Sequence, residues 1–494
     1  MKVDSLDSPR VVHDGDTGSS PTIATRRCPA SHSIRFHLVA ILITSFLACL
    51  LFPPSSFGIP AFARKYGLPC SACHQAWPML SPFGQQFKDN GYQLGNDRDS
   101  PIYQSPTYWP IALRITPNWH VETANHVIVD GPAGQNSALA DIKTNGFDYT
   151  GMDMLTAGTL ARNVSFLLVP SSDETGAFHF ESANVRFDNL FHSSWVNIKV
   201  GKFELDNLLS EKRIVTLSAN GGFYQNYHFQ PWVAPGQPSP LYVFGIGDNQ
   251  LGVEWLGHSP DDRTRVSAAL LTGTDGNPDF QSGVGGAAGH AYEAFFTASR
   301  AFQLGNLGLQ RFGGFAYIGQ ASTYPNYTTG GDPIDGTGVG NEPYYRAGFI
   351  GMWYVKKFDF TTMYFYGHDS IFLGTGTPSN LGNAGLPAGS HAPTWNGGLI
   401  EVHYTFNPQL MFTNRYELIR MSQQALSSSP GNTGNVDALT FGLRYYPFMN
   451  SRAGFALHNE YSIVWQRNVL VSPVTALPIG LTSSSVMIGF DFAF

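Results

Sequence analysis

Charge is scarce in this chain. Only 13% of its 494 residues are Asp, Glu, Lys or Arg, and the formal net charge is −7. The basic residues are scattered, with no stripe or cluster, which speaks against a nucleic-acid partner. Cysteine is scarcer still. Of four cysteines, Cys28 and Cys49 lie in an N-terminal leader, so once the leader is removed Cys70 and Cys73 are the only thiols left and no disulfide framework can form. The sequence contains no H-E-x-x-H, G-x-S-x-G, Walker or EF-hand pattern. Long apolar runs are few, and mean hydropathy is near zero. Aromatic residues are plentiful, at 14%, and so is glycine, with 53 residues. Low charge, many aromatics and many turn formers together suit a β protein with lipid-facing walls and interfacial girdles.

Leu38 to Phe52 is the main apolar run, preceded by Arg26, Arg27 and Arg35 and followed by Pro53-Pro54. It is short for a transmembrane helix and reads as the apolar core of a secretory signal, with Ala61-Phe62-Ala63 as an A-x-A cleavage site and Ser56-Phe57-Gly58 as a weaker one. Residues 1–63 are therefore assigned as leader, and the remainder of the chain is expected outside the cytoplasm.

From about Ile111 onward the sequence breaks into segments of about 8–14 residues separated by Gly/Pro/Asn/Asp/Ser-rich turns, and many of the segments alternate. Val486, Ile488, Phe490, Phe492 and Phe494 share one face of the last segment, opposite Met487, Gly489, Asp491 and Ala493. Leu439, Phe441, Leu443 and Tyr445 oppose Ala438, Thr440, Gly442 and Arg444, and Ile400, Val402, Tyr404 and Phe406 oppose Glu401, His403 and Thr405. About sixteen such segments are expected. Long connections at 122–149, 205–248, 273–290, 321–343, 370–394, 422–435 and 467–482, with 171–177 a short exception, alternate with tight turns at Arg162-Asn163, 188–194, 258–263, 303–308, Lys356-Lys357, Asn407-Pro408 and 447–452. Long external loops, short periplasmic turns and an even strand number are the outer-membrane barrel pattern. The expected fold is thus an all-β transmembrane barrel of about sixteen antiparallel strands over residues 109–494, in the outer membrane of a Gram-negative-type bacterium, with lipid as its surroundings. An aromatic last residue, Phe494, resembles the terminal signal for barrel insertion. Pro117 fits the first strand badly. Glu401, His403, Arg415, Glu417 and Arg444 are expected to face the lumen as mutually satisfied charges.

Between leader and barrel stands Cys70-Ser71-Ala72-Cys73-His74, a C-x-x-C-H signature for covalent c-type haem. The thiols of Cys70 and Cys73 suit thioether bonds to haem vinyl groups, and His74 suits the proximal iron site. A bare C-x-x-C is also a redox dithiol motif, but that reading leaves His74 without a role. The cofactor expected is one haem c. Its sixth ligand stays open: Met79 is near in sequence, and His120, Met152 and Met154 lie on or beside early strands. Residues 64–108 are too few to enclose a haem alone, so this segment is expected to cap or plug the periplasmic mouth. A short helix carrying Phe83 and Phe87 is expected to end near Asn90-Gly91. Gly336 to Gly340 and Gly283 to Gly286 look like dinucleotide loops only superficially and are expected in external loops.

The run from Phe62 to His74, and then Pro78 to Gly95, resembles the haem segment of fused outer-membrane cytochrome–porins, a family best known from iron-oxidising bacteria. The likeness covers about 35 residues, and Gln75-Ala76-Trp77 departs from it. The resemblance implies one c-type haem fused to a barrel of about sixteen strands, with electrons passing between an extracellular donor or acceptor, ferrous iron being the donor it suggests, and periplasmic c-type cytochromes. The alternative is a porin-like solute channel with a structural or sensory haem plug, and a haem enzyme with an exchangeable sixth ligand is a third possibility.

Overall fold

In the computed structural model the described residues are 61–76, 79–92, 94, 111–129, 138–172, 176–206, 208, 249–272, 292–322, 326–327, 333–334, 341–369, 394–421, 435–447, 454–471 and 478–493. Residues 1–60 of the leader, Phe494 and both glycine-rich motifs lie outside them. Three short helices open the described chain: α1 (Ala61–Tyr66), α2 (Cys70–Cys73) and, after the paired strands β1 (His74–Ala76) and β2 (Met79–Leu80), α3 (Pro82–Asp89).

The barrel comes next, in strands β3 (Ile111–Val129), β4 (Ala138–Ala161), β5 (Val164–Ser172), β6 (Phe178–Phe187), β7 (Asn197–Glu204), β8 (Asn249–His258), β9 (Thr264–Thr272), β10 (Tyr292–Gln303) and β11 (Leu309–Ser322). A small hairpin, β12 (Asn326–Tyr327) with β13 (Pro333–Ile334), precedes β14 (Asn341–Val355), β15 (Phe358–Asp369), β16 (Thr394–Asn407), β17 (Leu410–Met421), β18 (Asn435–Tyr445), β19 (Gly454–Val471) and β20 (Pro478–Ala493). Sixteen of these strands form one closed ring, each antiparallel to its sequence neighbours, and β20 pairs with β3 to shut it. Closure removes every edge, which a barrel needs where no water can satisfy free backbone groups.

Two-residue turns at Arg162-Asn163 and Lys356-Lys357 place Asn163 and Lys356 at positive φ, as tight hairpins demand. All the short turns fall at one end of the barrel. The expected loops at 122–149 and 467–482 need correction: β3 runs to Val129 and β4 starts at Ala138, while β19 runs to Val471 and β20 starts at Pro478. Most residues from Asp141 to Tyr149 are exposed, with no buried face, so these strand extensions carry no period-two hydrophobic signal. Pro117 is accommodated where the β3–β4 register slips between Ile115 and Pro117.

Period two sorts the wall. Val486, Ile488 and Phe490 are exposed on the outside, while Ser485 and Asp491 are buried inside. Phe441 is exposed and Thr440 and Arg444 are buried; Ile400 is exposed and Glu401 and His403 are buried. Phe296, Phe312, Ile318, Tyr345, Phe349 and Tyr364 continue the outer apolar surface. Only lipid covers so much apolar area at no cost. If so, Phe349→Arg, on the outer face, should destabilise the inserted barrel by about 2–4 kcal/mol near mid-membrane. Urea-titrated folding into lipid vesicles measures this, and an unchanged midpoint would contradict a lipid-facing wall.

Candidate functional site

The N-terminal segment lies against the barrel wall at the short-turn end. Ser81 caps α3, accepting from the Gly84 backbone N–H at 3.1 Å, while its own hydroxyl donates to the Ala72 carbonyl at 3.0 Å and its N–H to the Cys73 carbonyl at 2.9 Å. These bonds tie α3 onto α2. Gly84 permits the approach, since a Cβ there would lie 2.0 Å from the Cys73 carbonyl oxygen. The helix ends as expected. Gly91 adopts φ +74°, its N–H donates to the Lys88 carbonyl at 3.1 Å, and the Tyr92 N–H donates to the Phe87 carbonyl at 2.9 Å, the paired bonds of a Schellman stop.

Charge and ring contacts complete the docking. Lys88 pairs with Glu204 at 2.8 Å, and Asp89 pairs with Arg265 of β9. Phe87 meets Phe62 and Tyr66 edge-on at ring separations of 5.0 and 5.5 Å, and Phe62 stacks on Tyr92 at 5.4 Å. Cleavage after Ala63 would remove Phe62 from this cluster. Phe83, the other ring of the expected pair, is exposed, so of the two only Phe87 packs into the cluster.

Cys70, Cys73 and His74 line one partly open apolar cavity of about 190 Å³, together with Phe62, Tyr66 and Phe87. The barrel contributes Ala112, Leu155, Ala157, Leu167 and Ala493 to its wall. Burial pushes the Cys70 thiol up to about 11 and raises Cys73 as well. Raised thiols are poor thiolates at neutral pH, the opposite of a redox dithiol, which works through a lowered pKa. Thiols i, i+3 apart on one helical turn, an adjacent imidazole and apolar rings are the donor set and surroundings that a covalent haem c requires. Among the described residues no group of three or more His, Cys, Asp or Glu could hold a metal ion.

The sixth-ligand candidates are not in the cavity lining. Met79 is buried among Cys70, Met411, Tyr446 and Ala456, against the barrel wall. His120 sits opposite Met487 of β20, eight residues along β3 from Ala112, roughly 26 Å at 3.3 Å per residue. Met152 and Met154 alternate with Asp153, Leu155 and Ala157, so they point away from the cavity.

Beyond the cavity the lumen carries a network of buried charge. Arg114 bonds Asp491 at 3.1 Å and Asp153 at 3.4 Å, and Arg444 reaches Asp491 at 3.6 Å. His403 lies between Asp359 at 2.6 Å and Glu401 at 2.5 Å; Arg415 joins Glu401 at 3.0 Å to Glu417 at 3.2 Å; and His458 bonds Glu460 at 2.9 Å. The sequence points to Glu401, His403, Arg415, Glu417 and Arg444 as lumenal charges but does not single out Asp359 and Asp491, which pair with His403 and Arg444, or the further pairs Arg114–Asp153 and His458–Glu460. Alternation was the available signal, since each lies on the face opposite an outward apolar row.

A second lumenal feature escaped the sequence altogether. Phe203, Leu205, Leu208, Leu271, Phe295, Tyr317, Phe365, Ile419 and Val436 form part of one buried apolar belt on the inner wall, where polar residues were expected. Tyr317 satisfies its hydroxyl by donating to Glu293. Leu271, Phe295, Ile419 and Val436 lie within the last few residues of the long-loop ends of their strands.

No family model matches this chain, and no curated protein matches it. Among solved structures it is similar to the loop L8 deletion mutant of OmpT, an outer membrane protein of Vibrio cholerae, at 10% identity and TM-score 0.43, covering 78% of this chain and 99% of that one. An anion-selective porin from Comamonas acidovorans is similar at 9% identity and TM-score 0.42, covering 78% and 99%. The outer membrane channel DcaP of Acinetobacter baumannii is similar at 10% identity and TM-score 0.39, covering 77% and 97%.

Two substitutions probe this region. Gly84→Val should force α3 off α2 and abolish organisation of the C-x-x-C-H turn while the barrel still inserts; protease resistance of the barrel with loss of the N-terminal protected fragment is the expected pair of readouts. Arg415→Met removes the cation that joins Glu401 to Glu417, leaving Glu401 with His403 alone, and should cost about 3–5 kcal/mol. Adding Glu401→Gln and Glu417→Gln to it should recover part of that loss in the same urea titration.

Proposed function

We propose that this chain is an outer-membrane, porin-like barrel that holds one c-type haem at its periplasmic mouth and passes single electrons between an extracellular donor and periplasmic cytochromes. What carries the reading is the meeting of Cys70, Cys73 and His74 on a single apolar cavity completed by the barrel wall. Cys70 and Cys73 would anchor the haem covalently, and His74 would supply the proximal nitrogen. When bound, the haem supplies a one-electron Fe(II)/Fe(III) couple.

The chain's own residues provide the setting. Tyr66 and Phe87 exclude water from one side, and Ala112, Leu155, Ala157, Leu167 and Ala493 exclude it from the other. Lys88 with Glu204 and Asp89 with Arg265 hold the segment against the wall. The apolar belt nearer the long loops offers hydrated ions no polar partner along that part of the inner wall. Ferrous iron is the donor we propose, and the mouth itself is where a soluble periplasmic cytochrome would approach.

Expression with a c-type cytochrome maturation system tests this directly. The expected product keeps haem on a denaturing gel, Cys70→Ala with Cys73→Ala loses it, and added Fe(II) reduces the wild-type protein in liposomes. A protein without covalent haem, or a loaded protein that Fe(II) leaves oxidised while planar bilayers show steady ion conductance, would replace the conduit with the channel.

A further inference from the structure

The outer wall is not uniformly bulky. Between β8 and β15 it carries an open groove of about 760 Å³, within the size range of ligand pockets. Its floor forms where small residues face each other across strands, Ala298 opposite Gly314 and Ala316 opposite Ala347. Large rings stand around it. Phe296 lies opposite Ala316, Phe349 opposite Gly314 and Tyr364 opposite Phe349, and Trp255 joins them from β8. These four rings are exposed on the lipid-facing side, so the groove opens to hydrocarbon.

Beside the floor, toward the short turns, stands a cation. Arg300 follows Ala298 on the outer face of β10 and is exposed, roughly 7 Å along the strand. Its cross-strand neighbours are Thr264 and Phe312, and the next outward residue of β10 is Phe302. Arg300 and Trp255 each lie three residues, and Trp353 two, from the short-turn ends of their strands. Tryptophans mark the level of the lipid head groups, so Arg300 stands at the phosphate layer of the periplasmic leaflet. Lys356, exposed in the turn after β14, adds positive charge at the same end.

We propose that this groove holds one anionic phospholipid of the periplasmic leaflet, its phosphate on Arg300 and an acyl chain along the alanine and glycine floor. Water gives no drive to fill an apolar groove inside a bilayer, so van der Waals fit and head-group charge decide the occupant. A chain in the groove touches the floor and both rims, where bulk lipid on a flat wall touches one surface, and such contacts add up. The cation selects the head. A second copy of the barrel packed on this face would bury Arg300 against apolar wall, at the cost of an unpaired charge. A phosphate pairs it by charge-assisted hydrogen bonds.

The experiment titrates the full-length protein in mild detergent with phosphatidylglycerol or phosphatidylcholine and counts bound lipid by native mass spectrometry. The wild type is expected to retain one phosphatidylglycerol, more tightly than phosphatidylcholine. Arg300→Gln should lower phosphatidylglycerol affinity about fivefold, the worth of one cation at an anionic surface, and change phosphatidylcholine affinity less. Ala316→Phe fills the floor and should weaken both lipids about tenfold, a difference of about 1.4 kcal/mol. Ala298→Leu blocks the same floor and serves should Ala316→Phe fail to insert. Val486→Phe, on the outer face of β20, should leave both affinities at wild-type values.

Equal phosphatidylglycerol affinity in the wild type, Arg300→Gln and the floor variants overturns the proposal. A wild-type oligomer that Ala316→Phe turns into monomer, with lipid retention unchanged, assigns the groove to a second copy and overturns it equally. Cys70→Ala with Cys73→Ala should retain lipid as the wild type does, so the site stands or falls apart from the electron-transfer reading.

Discussion

The β20–β3 ladder is the constraint on which the rest of the molecule depends. Its register, from Ser483 opposite Ala124 to Ala493 opposite Arg114, joins the two ends of a sheet built otherwise from sequence neighbours. Without it two strands would present unpaired backbone groups to hydrocarbon, at several kcal/mol each. With it, the polypeptide has one inside and one outside, and strand alternation assigns every wall residue to one of them. The ladder also brings Ala493 beside the β3–β4 hairpin, so that Ala112, Leu155 and Ala493 can share a cavity. Barrel closure and site construction are therefore a single event.

A segment as short as 61–94 cannot bury its own rings and thiols, and the arrangement shows how the shortfall is met. Cys70 and Met79 pack on Met411, Tyr446 and Ala456 from β17, the β18–β19 turn and β19, whereas α3 leans the other way, toward Glu204 and Arg265. Contacts to opposite sides of the ring fix the segment in the mouth in a way that one face alone would not. The cost of desolvating Lys88 and Asp89 is offset by partners already buried in the wall, which is the condition under which such pairs hold geometry.

Much of this was legible in the sequence, for identifiable reasons. Strands through Phe441, Ile400 and Phe490 announce themselves because lipid on one side and charge on the other enforce period two. Tight turns are readable because few residues suit them, and the α3 stop at Asn90-Gly91 is readable because Gly91 needs positive φ. The extensions of β3 and β4 past residue 122 are not readable, since exposed residues on both faces impose no alternation. Nor is the apolar belt: Phe295, Tyr317 and Phe365 face inward at positions whose alternation allows it, yet a lumen was expected to be polar. Site composition was half legible. C-x-x-C-H named its own residues, but the wall side of the cavity consists of alanines and leucines that carry no motif and become a site only through the closed ring.

The layering of the lumen bears on how a redox centre here would behave. Asp491, Arg114 and Asp153 lie two residues along from Ala493, Ala112 and Leu155 on the same strand faces, roughly 7 Å away at strand rise. An apolar cavity by itself would disfavour the oxidised iron of a haem held there, which carries the additional positive charge, and would so raise its potential. Two aspartates at that distance act in the opposite sense, and Arg114 and Arg444, which hold Asp491 between them, largely cancel them. The net field at the cavity is thus set by small departures from balance in one ion cluster, while the cavity lining sets the baseline. Position adds an asymmetry. The cavity opens at the short-turn mouth, within reach of a soluble partner, whereas the long-loop end is separated from it by the charged layer and the apolar belt. For a haem held as proposed, exchange with the short-turn side would be direct, and the crossing of the lumen would be the limiting step.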